Sequence, residues 1–271
     1  KILFGVVGLV LVLAAAVLIG PGLIDWNDYR DEIADQIRKA TGRDFVIDGD
    51  VDFQLLPAPT LSVGVSRLAN LEGAVAPDMV RLKSFDMRIQ FLPLFSRRIV
   101  IESMVLREPV VELEVLADGR RNWEFGQGTA KAGRASTEGA PGAAVMGAVR
   151  LDSLTIDNAT LIYRDGQAGT VERIEGLNAE ITAQTLYGPL HVKGGFSFNG
   201  IPLGFEVNAG KIAAGESLPV SLRLKFPAAK AETRISGTLS VKDGGPEVTA
   251  KLRSQGPDLG RFAALMMSAG G

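Results

Sequence analysis

Most of the chain after residue 42 alternates between apolar and polar positions. In "SFDMRIQF", residues 84–91, Phe85, Met87, Ile89 and Phe91 occupy every second position, with polar residues between them. Alternation of this kind places all the apolar side chains on one face of a β-strand. Similar runs add further candidates for the same apolar face, namely Phe53, Leu55, Val63, Val111, Leu113, Val115, Phe196, Phe198, Phe205 and Val207. The pattern predicts a mainly β protein.

Turn signals separate these predicted strands. Asn199-Gly200 joins two strand-like runs, and this dipeptide is the strongest two-residue hairpin signal. Short strands at roughly ten-residue spacing, with turn residues between them, indicate an antiparallel meander.

The segment before residue 42 has the helical period instead. In residues 26–40, Tyr29, Ile33 and Ile37 form one apolar stripe at four-residue spacing. Acidic residues crowd the first turn and basic residues the last, which suits the helix dipole. The spacing predicts one amphipathic helix that ends near Gly42.

Residues 2–24 contain no charged side chain and are long enough to span a bilayer. We predict a transmembrane anchor over residues 1–24, with a cleaved secretory signal as the alternative. Trp26 and Tyr29 follow it and are candidates for the membrane interface. Lys1 precedes the anchor and acidic residues follow it, which favours an exported, periplasmic C-terminal part.

Composition excludes several classes of function. The chain has 271 residues and a net charge of -2, so it lacks the basic stripe of a nucleic-acid-binding protein. It contains no cysteine and one histidine, His191, which excludes thiolate metal sites and disfavours zinc. We predict no catalytic residue, no metal and no cofactor, and therefore a protein that is not an enzyme.

Residues 126–148 are mostly Gly, Ala, Ser and Thr, and they predict a flexible linker. Around it lies a weak repeat at an offset of 50 residues, which aligns "IVIESMVLREPVVEL" from Ile99 with "VRLDSLTIDNATLIY" from Val149. The repeat indicates two similar β-units, unless it is chance similarity between amphipathic strands. The predicted domains are thus 1–24, 25–125, 126–148 and 149–271.

Many of the predicted strands have one apolar face, and that face must be shielded from water. The predicted helices are too few to cover it. Either two sheets pack together as a β-sandwich, or one curved sheet holds an apolar ligand in a groove. In the first case the protein is a scaffold or an accessory subunit of an inner-membrane complex. In the second case it binds lipid.

Four short motifs follow the anchor in a fixed order. They are T-G-R at 41–43, L-L-P-x-P at 55–59, R-E-P-x-V-x-L at 107–113 and D-G-x-x-N-W at 118–123. In this order the chain resembles the AsmA family of bacterial envelope proteins, most strongly over residues 25–125.

The resemblance implies an inner-membrane protein whose periplasmic part begins with a chorein-like unit and continues as a curved β-groove. It also implies phospholipid acyl chains as partners, with a role in transport between membranes or in outer-membrane assembly. The family supplies no catalytic residues. On this resemblance the candidates above would line a channel for acyl chains.

Overall fold

The computed structural model describes residues 24–90, 93, 100–125, 150–183, 188–198, 200–211, 217–242 and 245–257. The predicted anchor, the predicted linker and Phe91 lie outside these residues, apart from Ile24. Within the described ranges, no helix is long and apolar enough to cross a membrane.

One helix precedes the strands, as predicted. A 3₁₀ turn (Trp26–Tyr29) leads into α1 (Arg30–Thr41). The Asp25 carboxylate accepts a hydrogen bond from the Asn27 N–H at 3.0 Å and caps the turn. Gly42 ends α1 in the left-handed conformation, with φ +72°, and its N–H donates to the Arg38 carbonyl.

The remaining elements are strands, apart from a 3₁₀ turn at Pro227–Ala229. They are β1 (Phe45–Ile47), β2 (Val51–Gln54), β3 (Thr60–Val63), β4 (Ser66–Ala69), β5 (Asp78–Leu82), β6 (Ser84–Ile89), β7 (Val100–Arg107), β8 (Val110–Val115), β9 (Arg150–Asp165), β10 (Thr170–Ala183), β11 (Leu190–Phe198), β12 (Ile201–Ala209), β13 (Leu218–Phe226), β14 (Ala231–Lys242) and β15 (Gly245–Gln255).

All fifteen strands belong to one open sheet. β9 to β15 form an antiparallel meander, and the predicted hairpin joins β11 to β12, with Phe198 opposite Ile201. The strands of the described residues form a single layer, so the alternative of two packed sheets is not what the structure has.

The first eight strands are four longer strands, each bent once. β1 continues into β2, β3 into β4, β5 into β6 and β7 into β8. The two halves of each bent strand form hydrogen bonds with the two halves of the bent strand that comes next in the chain. β9 and β10 carry matching irregularities, marked by positive φ at Asn158 (+53°) and Gly176 (+59°). The bends therefore lie side by side and form one line across the sheet from β1–β2 to β10, whereas β11 to β15 pair without a register shift.

Hydrogen bonds cross this line of bends at each strand. The N–H of Gly64 donates to the Asp50 carbonyl, and that of Lys83 donates to the Arg107 carbonyl. The N–H of Glu108 donates to the Asp157 carbonyl at 2.8 Å. Because these backbone groups are paired, the sheet stays continuous where each strand changes direction.

The two copies of the sequence repeat turn out to be neighbouring strands. β7 and β8 both pair with β9, in parallel, and at the same offset of 50 residues. Five of the aligned apolar pairs are Cα partners, for example Met104 with Leu154 and Val111 with Leu161. The prediction of antiparallel pairing is wrong at this junction, where β9 runs parallel to β7 and β8.

Asn122, in the D-G-x-x-N-W motif, completes the edge of β8. It is fully buried, and its side chain accepts from the Glu114 N–H at 2.9 Å and donates to the Glu112 carbonyl at 2.6 Å. Its own N–H donates to the Glu114 carbonyl. One side chain thus supplies the bonds that a further strand would make.

Arg43, in the T-G-R motif, reaches the same point. Its guanidinium donates to the Asn122 carbonyl at 2.5 Å and lies 5.3 Å from the centre of the Phe125 ring. Burial lowers the pKa of Arg43, because part of its charge is removed from water. Two motifs that are 79 residues apart therefore meet in one buried contact.

The face of the sheet away from α1, which we call the outer face, carries the charged residues of the strands. Asp86 is typical, because it accepts a hydrogen bond from the Ser62 hydroxyl at 2.7 Å and pairs with Arg107. Desolvation would raise the pKa of Asp86, but these two hydrogen bonds and the charge of Arg107 outweigh it and hold the pKa below its usual value of 3.8.

We expect Asn122→Ala to destabilise the fold by about 2–4 kcal/mol, because it leaves the N–H and carbonyl of β8 unpaired in a buried position. Urea denaturation measures the loss. Arg120→Ala is the control, since its ion pair with Asp118 in the same loop is exposed to water and contributes little to stability. Equal losses in the two variants would contradict the role of Asn122.

Asp86→Asn should show a pH-dependent loss of stability. A carboxylate with a depressed pKa stabilises the fold above its unfolded pKa and loses that contribution as pH falls through the folded pKa. Wild type should therefore exceed the variant in free energy of unfolding at pH 7, and the difference should shrink below pH 3.8. Urea titrations at pH 7, 4 and 3 test this, and a constant difference would refute it.

Candidate functional site

The apolar side chains of the strands share one face of the sheet, which we call the inner face. Cα partners across the strands form a continuous row on it, which consists of Phe53, Leu61, Met87, Met104, Leu154, Ile181, Val192, Val207, Leu222, Ile235 and Leu252. Neighbouring strands are about 4.8 Å apart, so the row extends for about 48 Å.

Parallel rows flank this central row. One runs through Val63, Phe85, Leu106, Ile156, Ala179, Gly194, Phe205 and Leu224. Beyond the line of bends, another runs through Phe45, Leu68, Val80, Val111, Leu161, Ile174, Phe198 and Ile201. The inner face is therefore several side chains wide as well as long.

Gly194 shows how closely the inner face is packed at one point. A Cβ atom there would lie 2.2 Å from the Asn178 carbonyl oxygen and 2.8 Å from the tip of the Phe205 ring. Phe205 also contacts Phe196, with 5.9 Å between ring centres. Glycine at this position leaves room for the tip of the Phe205 ring over the neighbouring strand.

One end of the inner face is covered. Ile33 of α1 packs with Trp26 against Ile47, Val51 and Val63. The Trp26 ring lies 4.9 Å from the ring of Phe53, which begins the central row. The helix therefore closes the inner face at the β1–β2 end.

The rest of the inner face is only partly buried. From Met87 to Ile235 the side chains of the central row are half-buried, and Leu252 at the far end is 68% exposed. Among the described residues, the 3₁₀ turn with α1, the Trp123 ring against Tyr163 and the short turn at 227–229 pack over this face. A half-buried apolar row of this length is a surface that an apolar ligand can reach.

The outer face provides the contrast. Glu180 pairs with Lys193 at 2.8 Å, and Glu206 pairs with Arg223 at 2.6 Å. These residues alternate along the same strands as the inner-face row and are themselves cross-strand neighbours. Charge is therefore separated from the apolar row by the thickness of the sheet.

The structure assigns different positions to the candidates from the sequence. Phe85, Met87, Ile89, Val111, Leu113, Phe196, Phe198, Phe205 and Val207 lie half-buried on the inner face. Val63 is 1% exposed beneath α1, and Val115 is 9% exposed, so neither is accessible from that face. Phe53 packs on Trp26, and Leu55 lies just beyond the end of β2.

The two interface candidates also differ. Trp26 packs between Phe53 and Tyr29, whereas Tyr29 is 47% exposed. Trp26 is thus a packing residue of the covered end, and its place at a membrane surface stays a prediction.

Sequence reasoning missed several members of the central row. The members that complete it are Leu61, Met104, Leu154, Ile181, Val192, Leu222, Ile235 and Leu252. Their signal was present in the alternation of "VSLRLKF" and "RISGTLSV", but register, which decides whether strands align their apolar positions, is not visible in a single strand.

Polar chemistry on these strands is sparse. The Nδ1 atom of His191 lies 2.6 Å from the Asn208 side-chain oxygen on the outer face. Groups of three or more His, Asp or Glu residues that would suit a metal ion do not occur within the described ranges. The inner face offers apolar contact area rather than reactive groups.

Comparison with known proteins agrees with the motifs. No curated protein sequence and no solved structure matches the chain. The family model of the AsmA family, which is associated with the bacterial envelope, matches residues 1–266, and the chain belongs to that family.

Proposed function

We propose that this protein binds the acyl chains of phospholipids on its inner face and takes part in phospholipid transport between membranes or in outer-membrane assembly. The observation that carries the proposal is the unbroken apolar row from Phe53 to Leu252 on an open sheet. Membership of an envelope-associated family supports the setting.

The shape of the face favours acyl chains over a compact ligand. A compact ligand needs a concave pocket with a few converging polar groups. The inner face is instead long and uniform, and a methylene group transferred to it from water gains about 0.8 kcal/mol when fully buried. An acyl chain lying along the row gains this at each methylene it buries, without needing a specific polar contact.

The line of bends gives the sheet the form of a groove in this proposal. Bulged strands bend and increase their twist. Because the bends of neighbouring strands coincide from β1–β2 to β10, this part of the sheet folds along one axis, with apolar rows on both sides. The headgroups of bound lipids would remain in water at the open side.

The position of α1 gives the groove a direction. α1 follows the uncharged segment 2–24 directly, so an anchor in the inner membrane would hold the covered end of the face near that membrane. β15 would then lie farthest from it, in the periplasm. Lipids would enter beside α1 and move along the row by exchange of equivalent apolar contacts.

The proposed role is binding rather than catalysis, because the proposed site consists of Phe, Leu, Ile, Val and Met side chains. A non-enzymatic scaffold remains the alternative from the sequence. A face that binds no lipid in a folded protein would favour that alternative.

Ile235→Glu and Met87→Glu should each remove bound lipid from the full chain while leaving it folded. A carboxylate beside acyl chains is strongly disfavoured, but on a half-buried face it can still reach water. Lipid mass spectrometry on protein purified in mild detergent measures the loss, which we expect to be at least about tenfold, as for a penalty above about 1.4 kcal/mol.

Ser236→Glu is the matched control for Ile235→Glu. Ser236 is the next residue on β14, exposed on the outer face and opposite Lys251, so the new charge is solvated there. This variant should keep its lipid. Equal lipid content in all variants, or a folded wild type without lipid, would exclude the groove.

A further inference from the structure

Two methionines lie next to each other on the central row. Met87 of β6 and Met104 of β7 are Cα partners, and both side chains are half-buried on the inner face. Residues directly opposite each other in an antiparallel pair have their Cβ atoms about 4.5–5.5 Å apart, so the two thioethers are neighbours. We call these two residues the methionine pair. Their neighbours along the row are Leu61 and Leu154.

The methionine pair is the part of the central row that a mild oxidant can change. The other members of the row are Phe, Leu, Ile or Val, and the chain contains no cysteine. A two-electron oxidant converts a thioether to a sulfoxide, which is polar, and leaves aliphatic side chains unchanged. Met79 of β5 is only 5% exposed, so an oxidant in water reaches the methionine pair more easily.

We propose that the methionine pair is a site of reversible oxidation by peroxide, and that its sulfoxide form releases acyl chains from the inner face. The inference rests on the proposed function, because the modified residues belong to the same acyl-binding row. It adds a means of control to that row.

The oxidation needs only the thioether and the peroxide. The sulfur attacks one peroxide oxygen, the O–O bond breaks, and the hydroxylated sulfur passes its proton to the departing hydroxide, which leaves as water. Each sulfur loses two electrons and each peroxide gains them. A thiol-dependent methionine sulfoxide reductase reverses the change, since two thiols form a disulfide and the sulfoxide oxygen leaves as water.

A sulfoxide oxygen at the methionine pair finds no hydrogen-bond donor among the side chains beside it. The inner-face residues around the pair are Leu61, Phe85, Ile89, Ile101, Leu106 and Leu154. The sulfoxide therefore takes its hydrogen bonds from water, and an acyl chain lying over it would remove that water. Burial of a polar group without a hydrogen bond is unfavourable, so the oxidised pair disfavours acyl chains.

The place of the pair in the row makes a polar break there effective. Phe53 and Leu61 precede the pair, and Phe53 lies against Trp26 at the covered end. The rest of the row, from Leu154 to Leu252, follows the pair. Lipids that enter beside α1 would therefore meet the pair at the start of their path.

Limited oxidation of the full chain in mild detergent with hydrogen peroxide tests the proposal. Peptide mass spectrometry should find sulfoxide at Met87 and Met104 well before Met79. Lipid mass spectrometry should then show at least about tenfold less bound phospholipid. Methionine sulfoxide reductase, with phospholipid–detergent micelles supplied, should restore the bound lipid. The free energy of unfolding in urea should stay the same, because both sulfoxides reach water in the folded protein.

The double variant Met87→Leu, Met104→Leu is the matched control. Leucine keeps an apolar side chain of similar volume but has no sulfur to oxidise. The variant retains the other methionines of the chain, which are Met79, Met146, Met266 and Met267. Oxidation at those positions acts on it as on wild type, so the variant should keep its lipid before and after peroxide.

Glutamine variants separate polarity from oxidation. Met104→Gln places an uncharged polar group on the row and should lose lipid without peroxide. Ser103→Gln is its control, because Ser103 is the preceding residue of β7 and lies on the outer face opposite Arg88. This variant should keep its lipid.

The outcomes distinguish the switch from lipid binding itself. Lipid that stays on the oxidised wild type, or leaves the oxidised double variant equally, would overturn the switch while lipid binding stands. Equal rates of oxidation at Met79 and at the methionine pair would exclude a selective site. A folded wild type that holds no lipid before oxidation would refute the proposed function and the switch together.

Discussion

The rest of the structure depends on one constraint. The apolar side chains of each bent strand must lie on the same face of the sheet before and after the bend. Side chains alternate along a strand, so one inserted residue transfers every later side chain to the opposite face. In β9 the inner-face residues Ile156 and Leu161 are five positions apart, and in β10 Ile174 and Ala179 are also five apart. The odd spacing means that each strand inserts one residue at the bend. The bent strands before them do the same at the same place, for example between Leu106 and Val111, so the insertions cancel and the inner face remains apolar on both sides. In β11 Gly194 and Phe198 are four positions apart, so the line of bends ends at β10 with a bulge.

The buried polar contacts lie where the sheet needs support rather than at the candidate site. Arg43, Asn122 and Glu114 connect the end of α1, the loop after β8 and the residues before β5. The Glu114 carboxylate, 4% exposed, accepts from the Val75 N–H at 3.0 Å. Such groups are stable only when their partners are in place, so they fix the geometry of the covered end. This is the physical reason for the T-G-R and D-G-x-x-N-W motifs.

The sequence predicts which face of the sheet a residue occupies much better than it predicts which residues on other strands lie next to it. Alternation placed Phe85, Met87 and Ile89 on one face, and the hairpin at Asn199-Gly200 joins β11 to β12, because both signals are local. The bends were not predicted, since Glu108 and Asn158 adopt positive φ without a glycine to mark it. The parallel pairing of β7 and β8 with β9 was not predicted either, because no local sequence signal specifies the direction of β9 relative to β8. The two copies of the 50-residue repeat have similar sequences because they are paired strands of one sheet. Residues that are Cα partners in them lie on the same face.

The two ends of the sheet differ in a way that follows from these contacts. At the β1–β2 end, Trp26 and Ile33 cover the apolar row, and Asn27 pairs with the edge of β2. At the β15 end, the apolar row reaches solvent through Leu252 and the edge carries no protecting helix among the described residues. An edge strand that has no partner within the described ranges is a template for further strand pairing. The covered end can therefore serve as a fixed boundary of the inner face, whereas the β15 end is the place where that face can be extended.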